Sequence, residues 1–421
     1  MHLHPSLCKC KPVTYNPIKG TPMNLAQPLM QKPLVLHLRK DLVRNIKRGH
    51  PWVYDDALAS RPDSPAGRWT LLKDRKGKEV AWGFYDPKGQ LAFRACVLNK
   101  KELRGDWLTQ RLEAAKKRRA HLIHNPQTNG FRLINGEGDG LPGLVIDIYG
   151  DTAVMQVDGD APDGFWPKLP VAQWVAQQLQ LPNVYFKRRR KEQAPGEVLV
   201  GLQPDHEPII QENGAFYSVD VINGQKTGFF LDQRDNRLKV RGLSHGKTVL
   251  NVFGYTGGFS INAGLGGATQ VTTVDLAPGA IEFAERNWTL NNLPEGTHEG
   301  VVADAFDFFD AAKEQNQRWD LTIVDPPSFA PSQETVARAV ESYTRLFSDA
   351  IQVTQPGGLF CAASCSSHIP HALFMDICTQ AFSNARSRGQ VLEVRGQSED
   401  HPYPLACPEM RYLKFAVFAV A

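Results

Sequence analysis

Hydrophobic and polar positions change their pattern twice along the chain. Between residues 34 and 100, short apolar runs at 80–84 and 91–98 are separated by turn signals, which predicts a small β-rich unit. Between 106 and 123 the apolar residues recur at helical spacing, with a run of Lys and Arg on the opposite face. Strands predicted at 144–148, 153–157 and 184–186, and a helix at 171–179, extend this helix into an α+β unit.

After about residue 206 the pattern becomes a regular alternation of strands and helices. This alternation is typical of a parallel, doubly wound sheet of the α/β class. A hairpin is predicted before it at 215–223, and an apolar segment at 412–420 is predicted to add an edge strand. The other predicted strands are 248–253, 270–274, 321–324 and 358–363, and the predicted helices are 280–291, 334–354 and 371–388.

These changes divide the chain into four predicted parts. They are a disordered extension (1–33), a β-rich domain (34–102), a central α+β domain (103–205) and a doubly wound α/β domain (206–421). A chain of 421 residues is too long for one ordinary core. The sequence has no uncharged apolar stretch of about 18 residues, so we expect no membrane span. The first thirty residues lack the apolar core of a secretory signal.

The seven cysteines are scattered, which favours a reducing compartment over a disulfide framework. Cys8 and Cys10, with His2 and His4 nearby, have the residue types of half a metal clip. However, no second ligand cluster stands at the spacing of a zinc site. We therefore predict a cytoplasmic protein without a metal.

Charge is distributed unevenly along the chain. Residues 31–130 contain 22 Lys and Arg against 10 Asp and Glu, whereas residues 131–421 contain 23 against 34. A basic front half favours a polyanion partner, because Lys and Arg displace counterions from phosphates, although a solvated surface would give the same counts. The predicted RNA contacts are basic residues at helical spacing and an aromatic residue that either stacks on a base or belongs to the core: Arg39, Lys40, Arg44, Arg48 and Trp52.

Ligands of a doubly wound sheet bind at the carboxyl ends of its strands. A glycine-bearing loop (251–258) follows the first strand, and Asp275 ends the second strand, where an acid can hydrogen-bond a ribose. These two features fit NAD and S-adenosylmethionine (SAM) equally. A third strand is predicted to end at Val301-Val302-Ala303, and the following Asp304 suits the amine of adenine. After the fourth strand, Asp325 precedes two prolines that fix the backbone, which favours SAM.

The fifth strand ends in Ser364-Cys365-Ser366. Cys365 is flanked by polar residues at the ligand edge, whereas Cys361 and Cys378 lie within apolar patterns. Carbon 5 of cytosine is a poor nucleophile, but attack of a thiolate on carbon 6 converts the ring into an enamine that accepts a methyl group at carbon 5. Cys365 is therefore predicted to be a nucleophile, with an inert cysteine as the alternative.

A polar segment at 223–237 stands at a strand-to-helix junction before the first strand. Its density of charged and amide side chains favours a roof over the cofactor, and a solvated helix face is the alternative for Arg237. The predicted roof residues are Lys226, Gly228, Asp232 and Arg234.

From about Leu34 to Ala421 the chain resembles the bacterial ribosomal RNA large-subunit methyltransferase I family, which makes 5-methylcytosine in large-subunit ribosomal RNA. Short motifs throughout this range carry the resemblance. They are GHPWV (49–53), GDGLPG (138–143), QKTGFFLDQR (225–234), YTGGFS (255–260), DPP (325–327), SCS (364–366) and YLK (412–414).

The resemblance implies an N-terminal PUA RNA-binding domain, a central α+β domain and a C-terminal Rossmann-like, class I methyltransferase domain. It also implies that residues 251–257 hold the methionine end of SAM, while Asp275 binds its ribose and Asp304 its adenine. Asp325 would position the target base, and Cys365 would be the nucleophile. The predicted cofactor set is Asn251, Phe253, Tyr255, Gly257, Asp275, Leu276, Asp304, Ala305, Asp325 and Pro326, together with the four roof residues.

We therefore predict a SAM-dependent RNA cytosine carbon-5 methyltransferase with Cys365 and Asp325 as its catalytic residues. Asp325 is also the candidate for removing the carbon-5 proton, and Ser328 stands where many relatives have Lys. The predicted partner is ribosomal RNA or the large ribosomal subunit, and a homodimer is the candidate assembly. Three alternatives stay open: methylation of an exocyclic base nitrogen without a covalent step, a non-catalytic RNA-binding assembly factor and, more distantly, an NAD oxidoreductase.

Overall fold

The computed structural model describes residues 32–99, 102–103, 105–188, 196–204 and 207–421. Nearly all of the predicted N-terminal extension, including Cys8 and Cys10, lies outside the described residues. So does most of the basic run at 187–191. Within the described ranges, none of the helices is both long and apolar enough to cross a bilayer.

A five-stranded sheet opens the described chain. Its elements are β1 (Leu34–His37), α1 (Val43–Lys47), β2 (Trp52–Tyr54), β3 (Arg68–Lys73), β4 (Glu79–Tyr85) and β5 (Leu91–Val97). The strand order is β1-β3-β4-β5-β2, with β1 parallel to β3 and the other neighbours antiparallel. Alternation along the strands buries both faces, since Trp69 and Phe84 point toward the next domain while Leu72 and Phe93 pack with Ile46 of α1.

The second sheet belongs to the central α+β unit. Its elements are α2 (Trp107–Arg118), α3 (Ala120–Ile123), β6 (Gly130–Asn135), β7 (Leu144–Tyr149), β8 (Thr152–Val157), α4 (Asp160–Phe165), α5 (Lys168–Leu179), β9 (Asn183–Phe186) and β10 (Glu197–Val200). The strand order is β10-β9-β8-β7-β6. An aromatic cluster joins this sheet to the first one, with Phe165 stacked on Trp69 (5.8 Å between ring centroids) and on Phe84 (4.5 Å). The two predicted N-terminal domains therefore share one apolar core.

A two-stranded hairpin leads into the last domain. It consists of β11 (Ile209–Glu212) and β12 (Ala215–Ser218). The predicted hairpin at 215–223 is wrong in position, because only its first four residues form a strand. The chain turns at Asn213-Gly214, both with positive φ, and an Asn-Gly pair is the strongest signal for such a turn.

The third sheet has seven strands and helices on both faces. Its elements are α6 (Arg234–Leu243), β13 (Thr248–Val252), α7 (Gly258–Leu265), β14 (Gln270–Asp275), α8 (Pro278–Leu290), β15 (His298–Val302), α9 (Ala305–Glu314), β16 (Trp319–Val324), α10 (Val336–Gln352), β17 (Thr354–Ser364), α11 (His371–Asn384), β18 (Gly389–Arg395) and β19 (Lys414–Val420). The order β15-β14-β13-β16-β17-β19-β18 confirms the predicted Rossmann-like α/β fold.

One detail of that sheet corrects the sequence prediction. β19 is not the edge strand, because it inserts antiparallel between β17 and β18. The edge strand is β18, which the sequence pattern does not reveal. Its apolar side chains Val391 and Leu392 are both exposed, so β18 lacks the regular alternation of a half-buried strand.

A buried network of charges fastens the central unit to the last domain. Asp400, in the loop between β18 and β19, accepts hydrogen bonds from Arg234 Nη1 (2.7 Å) and from the backbone N–H of Arg132 (2.8 Å). Its carbonyl accepts from Arg119 Nη2 (2.7 Å), and Arg119 also pairs with Asp139. Burial raises the pKa of Asp400, but His401 and Arg234 outweigh burial and hold it well below its usual range. The carboxylate is therefore charged in the folded protein.

We expect Asp400→Asn to lower the free energy of unfolding at pH 7 by about 3–5 kcal/mol, because it removes the buried carboxylate that pairs with Arg234 and leaves only the part-exposed Asp235 as its partner. A carboxyl group with a depressed pKa stabilises the fold above its unfolded pKa of 3.8 and loses this effect as the pH falls. The difference between the variant and the wild type should therefore shrink in acid.

Urea denaturation followed by tryptophan fluorescence measures this difference. Asp56→Asn is the matched control, since Asp56 forms an exposed pair with Lys40 and should change the free energy by less than about 0.5 kcal/mol. Equal losses in the two variants would contradict the structural role of Asp400.

Candidate active site

The loop after β13 has an unusual backbone. Phe253 and Tyr255 adopt positive φ values of 61° and 46°, which large side chains rarely do. Gly257 (φ 80°) is the N-cap residue that precedes α7, and a Cβ there would come within 2.9 Å of Ala284 Cβ. At Gly254 an added Cβ would lie 2.3 Å from Thr273 Cγ2. The loop is thus held tightly against the neighbouring strand and helix.

Asn251, at the base of this loop, is fully buried. Its Nδ2 donates to Ser260 Oγ at 2.8 Å, and Ser260 continues a chain of hydrogen bonds through Thr273 to His298. Asn251 Oδ1 has no hydrogen-bond partner among the described residues. A buried acceptor without a donor is costly, so this oxygen suits a ligand that brings one.

The next two strand ends carry the acids predicted to bind the nucleoside. Asp275 accepts hydrogen bonds from the backbone N–H groups of Tyr255 (2.9 Å) and Ala277 (3.0 Å), which fixes its carboxylate beside the loop. Leu276, immediately after it, is 69% exposed. Asp304 caps α9 through Oδ1, which accepts from Phe306 N at 2.8 Å, and the following Ala305 is buried.

The predicted roof lies across the site, but its members play different parts. Lys226 has a positive φ of 51°, and its Nζ donates to Asp232 Oδ2 at 2.7 Å. Tyr412 donates to the same oxygen at 2.6 Å, whereas Asp232 Oδ1 is buried without a partner in the described chain. Gly228 has a φ of 146°, which favours glycine. Burial raises the pKa of Asp232, but Lys226 and His401 outweigh burial and hold it well below its usual range.

Arg234 is the exception within the predicted cofactor set. It is buried, and its guanidinium pairs with Asp400 (2.7 Å) and Asp235 (3.1 Å). These two contacts use Arg234 to hold the loop before β19. These contacts give Arg234 a structural role, while its Nη2 is buried without a partner among the described residues, so its cofactor contact stays a prediction.

Asp325 and Cys365 stand at the ends of the adjacent parallel strands β16 and β17. Asp325 Oδ2 accepts from Gln233 Nε2 at 2.8 Å, and Cys365 Sγ lies 4.0 Å from the carbonyl oxygen of Pro326. Burial, together with the charge of Asp232, raises the pKa of Asp325 to about 6. Burial, together with the charge of Asp325, raises the pKa of the Cys365 thiol to about 11. The charge of Asp325 therefore acts on the Cys365 thiol.

Three contributors to the site are absent from the predicted set. Gln233 orients Asp325, Tyr412 orients Asp232, and Lys414 Nζ donates to the Ser366 carbonyl at 2.6 Å. All three lie within the QKTGFFLDQR and YLK motifs, and membership of these motifs is the sequence signal that points to them. Ser328 Oγ hydrogen-bonds Ser366 Oγ at 2.9 Å and so supports the loop that carries Cys365.

Some of the predicted RNA contacts are hydrogen-bonded within the protein, and others are exposed to solvent. Arg39 donates to the Asp56 carbonyl (2.7 Å), and Lys40 pairs with the Asp56 carboxylate. Arg44 and Arg48 are exposed on and just after α1. Trp52 is half-buried, with its indole N–H donated to Glu137 Oε1 at 2.8 Å, so this ring links the first two domains.

One group of metal-ligand residue types lies away from the strand ends. His50 Nε2 is 2.9 Å from Glu409 Oε1, and Cys407 also hydrogen-bonds Glu409. The three ligand atoms lie within 4.8 Å of one another. Because these side chains satisfy one another, we assign them to the contact between the first domain and the C-terminal loop.

The fold and the strand-end site together define a SAM-dependent methyltransferase with a PUA-like N-terminal domain. Residues 168–386 match the family model described as S-adenosylmethionine-dependent methyltransferase, and residues 36–96 match the PUA-like domain. The orphan oxygen of Asn251, the glycines without room for a Cβ and the exposed Leu276 beside Asp275 fit that cofactor.

The chain belongs to the ribosomal RNA large subunit methyltransferase I family. It is 34% identical over 388 residues to the Photobacterium profundum member, covering 90% of this chain and 97% of that protein. It is 34% identical to the ribosomal RNA large subunit methyltransferase of Deinococcus radiodurans, covering 91% and 97%, and 35% identical to the Serratia proteamaculans member, covering 90% and 97%. A candidate SAM-dependent methyltransferase from Streptococcus mutans shares the fold, with a TM-score of 0.81, 24% identity and coverage of 92% and 100%.

We expect Asp325→Asn to raise the melting temperature at pH 8. A carboxyl group whose pKa is raised to about 6 destabilises the fold once the pH exceeds its unfolded pKa of 3.8, and the effect is complete above about pH 6. Asn carries no charge and still accepts from Gln233. The advantage of the variant should therefore vanish below about pH 4.

Differential scanning fluorimetry across this pH range provides the measurement. Asp304→Asn is the control at a neighbouring strand end, because Asn caps a helix about as well as Asp and should give no pH-dependent gain. A melting temperature of Asp325→Asn at or below that of the wild type at pH 8 would show that burial does not penalise this carboxylate.

Proposed function

We propose that this chain methylates carbon 5 of a cytosine in large-subunit ribosomal RNA through a covalent adduct with Cys365. The observation that carries the proposal is the pairing of a thiol and a carboxyl group at adjacent strand ends in a SAM-dependent fold. The names of the relatives, which refer to large-subunit ribosomal RNA, support the choice of substrate.

Cys365 supplies the nucleophile that methylation of carbon 5 requires. Its thiolate forms a bond to carbon 6 of the cytosine, and the displaced electron pair makes carbon 5 nucleophilic. SAM, when bound, supplies an electrophilic methyl group. Loss of the carbon-5 proton to a base and breaking of the bond between Sγ and carbon 6 then restore the aromatic ring and the thiolate.

Asp325 is suited to hold the cytosine and to take up that proton. Its carboxyl group is fixed by Gln233, and the two following prolines restrict the backbone. A pKa raised to about 6 lies close to neutral pH, where a group exchanges protons most effectively during catalysis. The charge of Asp325 also acts on the Cys365 thiol. Asp325 therefore binds and deprotonates the same ring that Cys365 attacks.

Arg44 and Arg48 extend the proposed RNA interface onto the first domain, where their exposed guanidinium groups are free to pair with phosphates. The proposed cofactor contacts are the 251–257 loop, Asp275, Leu276, Asp304, Ala305, Asp325 and Pro326, with the roof residues Lys226, Gly228, Asp232 and Arg234. The exposed Val391 and Leu392 on edge strand β18 suit the homodimer, which stays a prediction.

Replacing Cys365 by Ala should lower methyl transfer to ribosomal RNA on the order of 10³-fold or more, because the covalent step is lost. Transfer from labelled SAM, followed by nucleoside analysis, gives both the rate and the product, and we expect 5-methylcytosine from the wild type. Cys361→Ala, on the same strand but within the core, is the matched control and should retain the activity of whatever fraction folds.

Two results would contradict the proposal. Full activity of Cys365→Ala would return Cys365 to the packing residues and favour methylation of an exocyclic nitrogen without an adduct. Absence of transfer by the wild type to both free ribosomal RNA and the large subunit would favour the non-catalytic binding role.

A further inference from the structure

Lys414 is a buried cation beneath the loop that carries Cys365. It lies on β19 opposite Ser364 in antiparallel register, and it is 1% exposed. Its Nζ donates to the carbonyl oxygens of Ser366 (2.6 Å) and Tyr412 (2.7 Å). No carboxylate is paired with it in the parts of the chain that the structure describes.

An ammonium group without a carboxylate partner is costly to bury. Two carbonyl oxygens offset part of this cost at Lys414. Burial lowers its pKa to about 8, and the negative form of Cys365 is the charge that opposes this shift. The arrangement therefore indicates that the Cys365 thiolate is the counter-ion of the Lys414 ammonium group.

The other charges around Cys365 do not replace Lys414. Asp325 and Asp232 both disfavour the thiolate, and Lys226 favours it more strongly than Lys414 does. However, Lys226 Nζ already pairs with Asp232 at 2.7 Å, so its charge is shared. Lys414 is the cation near the thiol that has no carboxylate of its own among the described residues.

Two further titratable side chains adjoin this group. Tyr412 donates its hydroxyl to Asp232, and burial raises its pKa well above the usual value, so it stays neutral. Burial, Arg411 and Lys414 lower the pKa of His371, so it is uncharged at pH 7. Neither side chain can provide the positive charge that a thiolate needs.

We propose that Lys414 is a positioning residue for the Cys365 nucleophile. Its ammonium group holds the backbone after Cys365 through the Ser366 carbonyl and supplies counter-charge for a thiolate that Asp325 and Asp232 disfavour. Lys414 keeps its proton during the reaction, so its role is electrostatic. The inference rests on the proposed nucleophilic role of Cys365.

The test measures alkylation of Cys365 by iodoacetamide, quantified by mass spectrometry of its peptide. Lys414→Gln keeps a hydrogen-bond donor but removes the charge, whereas Lys414→Arg keeps the charge. We expect Lys414→Gln to react about tenfold more slowly near neutral pH, because a shift of about one pKa unit changes the thiolate fraction tenfold. Lys414→Arg should stay within about threefold of the wild type, by the same relation.

The control is Lys313→Gln. Lys313 pairs with Asp310 and Asp349 on the helices α9 and α10, so its replacement should leave the alkylation of Cys365 unchanged. Melting temperatures of all variants separate loss of charge from loss of fold. Equal alkylation rates in Lys414→Gln and the wild type would overturn the proposal.

The wild-type protein provides a second readout that needs no variant. The alkylation rate should rise with pH up to about 8, level off as Lys414 loses its proton, and then rise again. A single uninterrupted rise would overturn the proposal. Slower alkylation of Lys414→Gln together with full methyl transfer by Cys365→Ala would overturn the proposed function, while the charge pairing of Lys414 with Cys365 would stand.

Discussion

The parallel pairing of β13, β16 and β17 is the constraint on which the site depends. Val252 is in register with Val324, and Val324 with Ala362, so the three strands end at the same edge of the sheet. The loop from Phe253, the carboxyl group of Asp325 and the thiol of Cys365 therefore meet, although more than a hundred residues separate the first from the last. The strand order changes direction between β13 and β16, which is where such sheets bind their ligands.

A second set of contacts connects the roof residues to the C-terminal loop and to the central unit. Asp232 joins Lys226 to Tyr412, and Asp400 joins Arg234 to the central unit, so the roof, the C-terminal loop and the central sheet form one hydrogen-bonded assembly. Asp232 and Asp400 are both buried within it, and each stays charged because neighbouring cations outweigh the effect of burial. Asp325 has no such cation at hydrogen-bond distance in the described chain, and its pKa is raised instead. The same set of contacts therefore keeps Asp232 ionised and leaves the pKa of Asp325 close to neutral pH.

Local sequence patterns predicted most strands of the last domain and its helices α8, α10 and α11, because buried parallel strands are continuous apolar runs and their helices are amphipathic. They did not predict α9. They also place Asp275, Asp304, Asp325 and Cys365 at strand ends. They did not reveal β18, whose exposed apolar residues lack a period, or the insertion of β19, which depends on antiparallel pairing between distant segments. The partners of Arg234 and Lys414 were hidden for a related reason, since each is chosen by tertiary contacts across the sheet.

The most direct measurement of the central claim is a trapping experiment with RNA that contains 5-fluorocytosine. Fluorine at carbon 5 cannot leave as a proton, so an adduct formed in the presence of SAM should persist through denaturation. Peptide mapping of the trapped complex should place the ribonucleotide on Cys365. A link to a different residue, or methylation of ordinary cytosine at carbon 5 by a protein that traps nothing, would contradict the account.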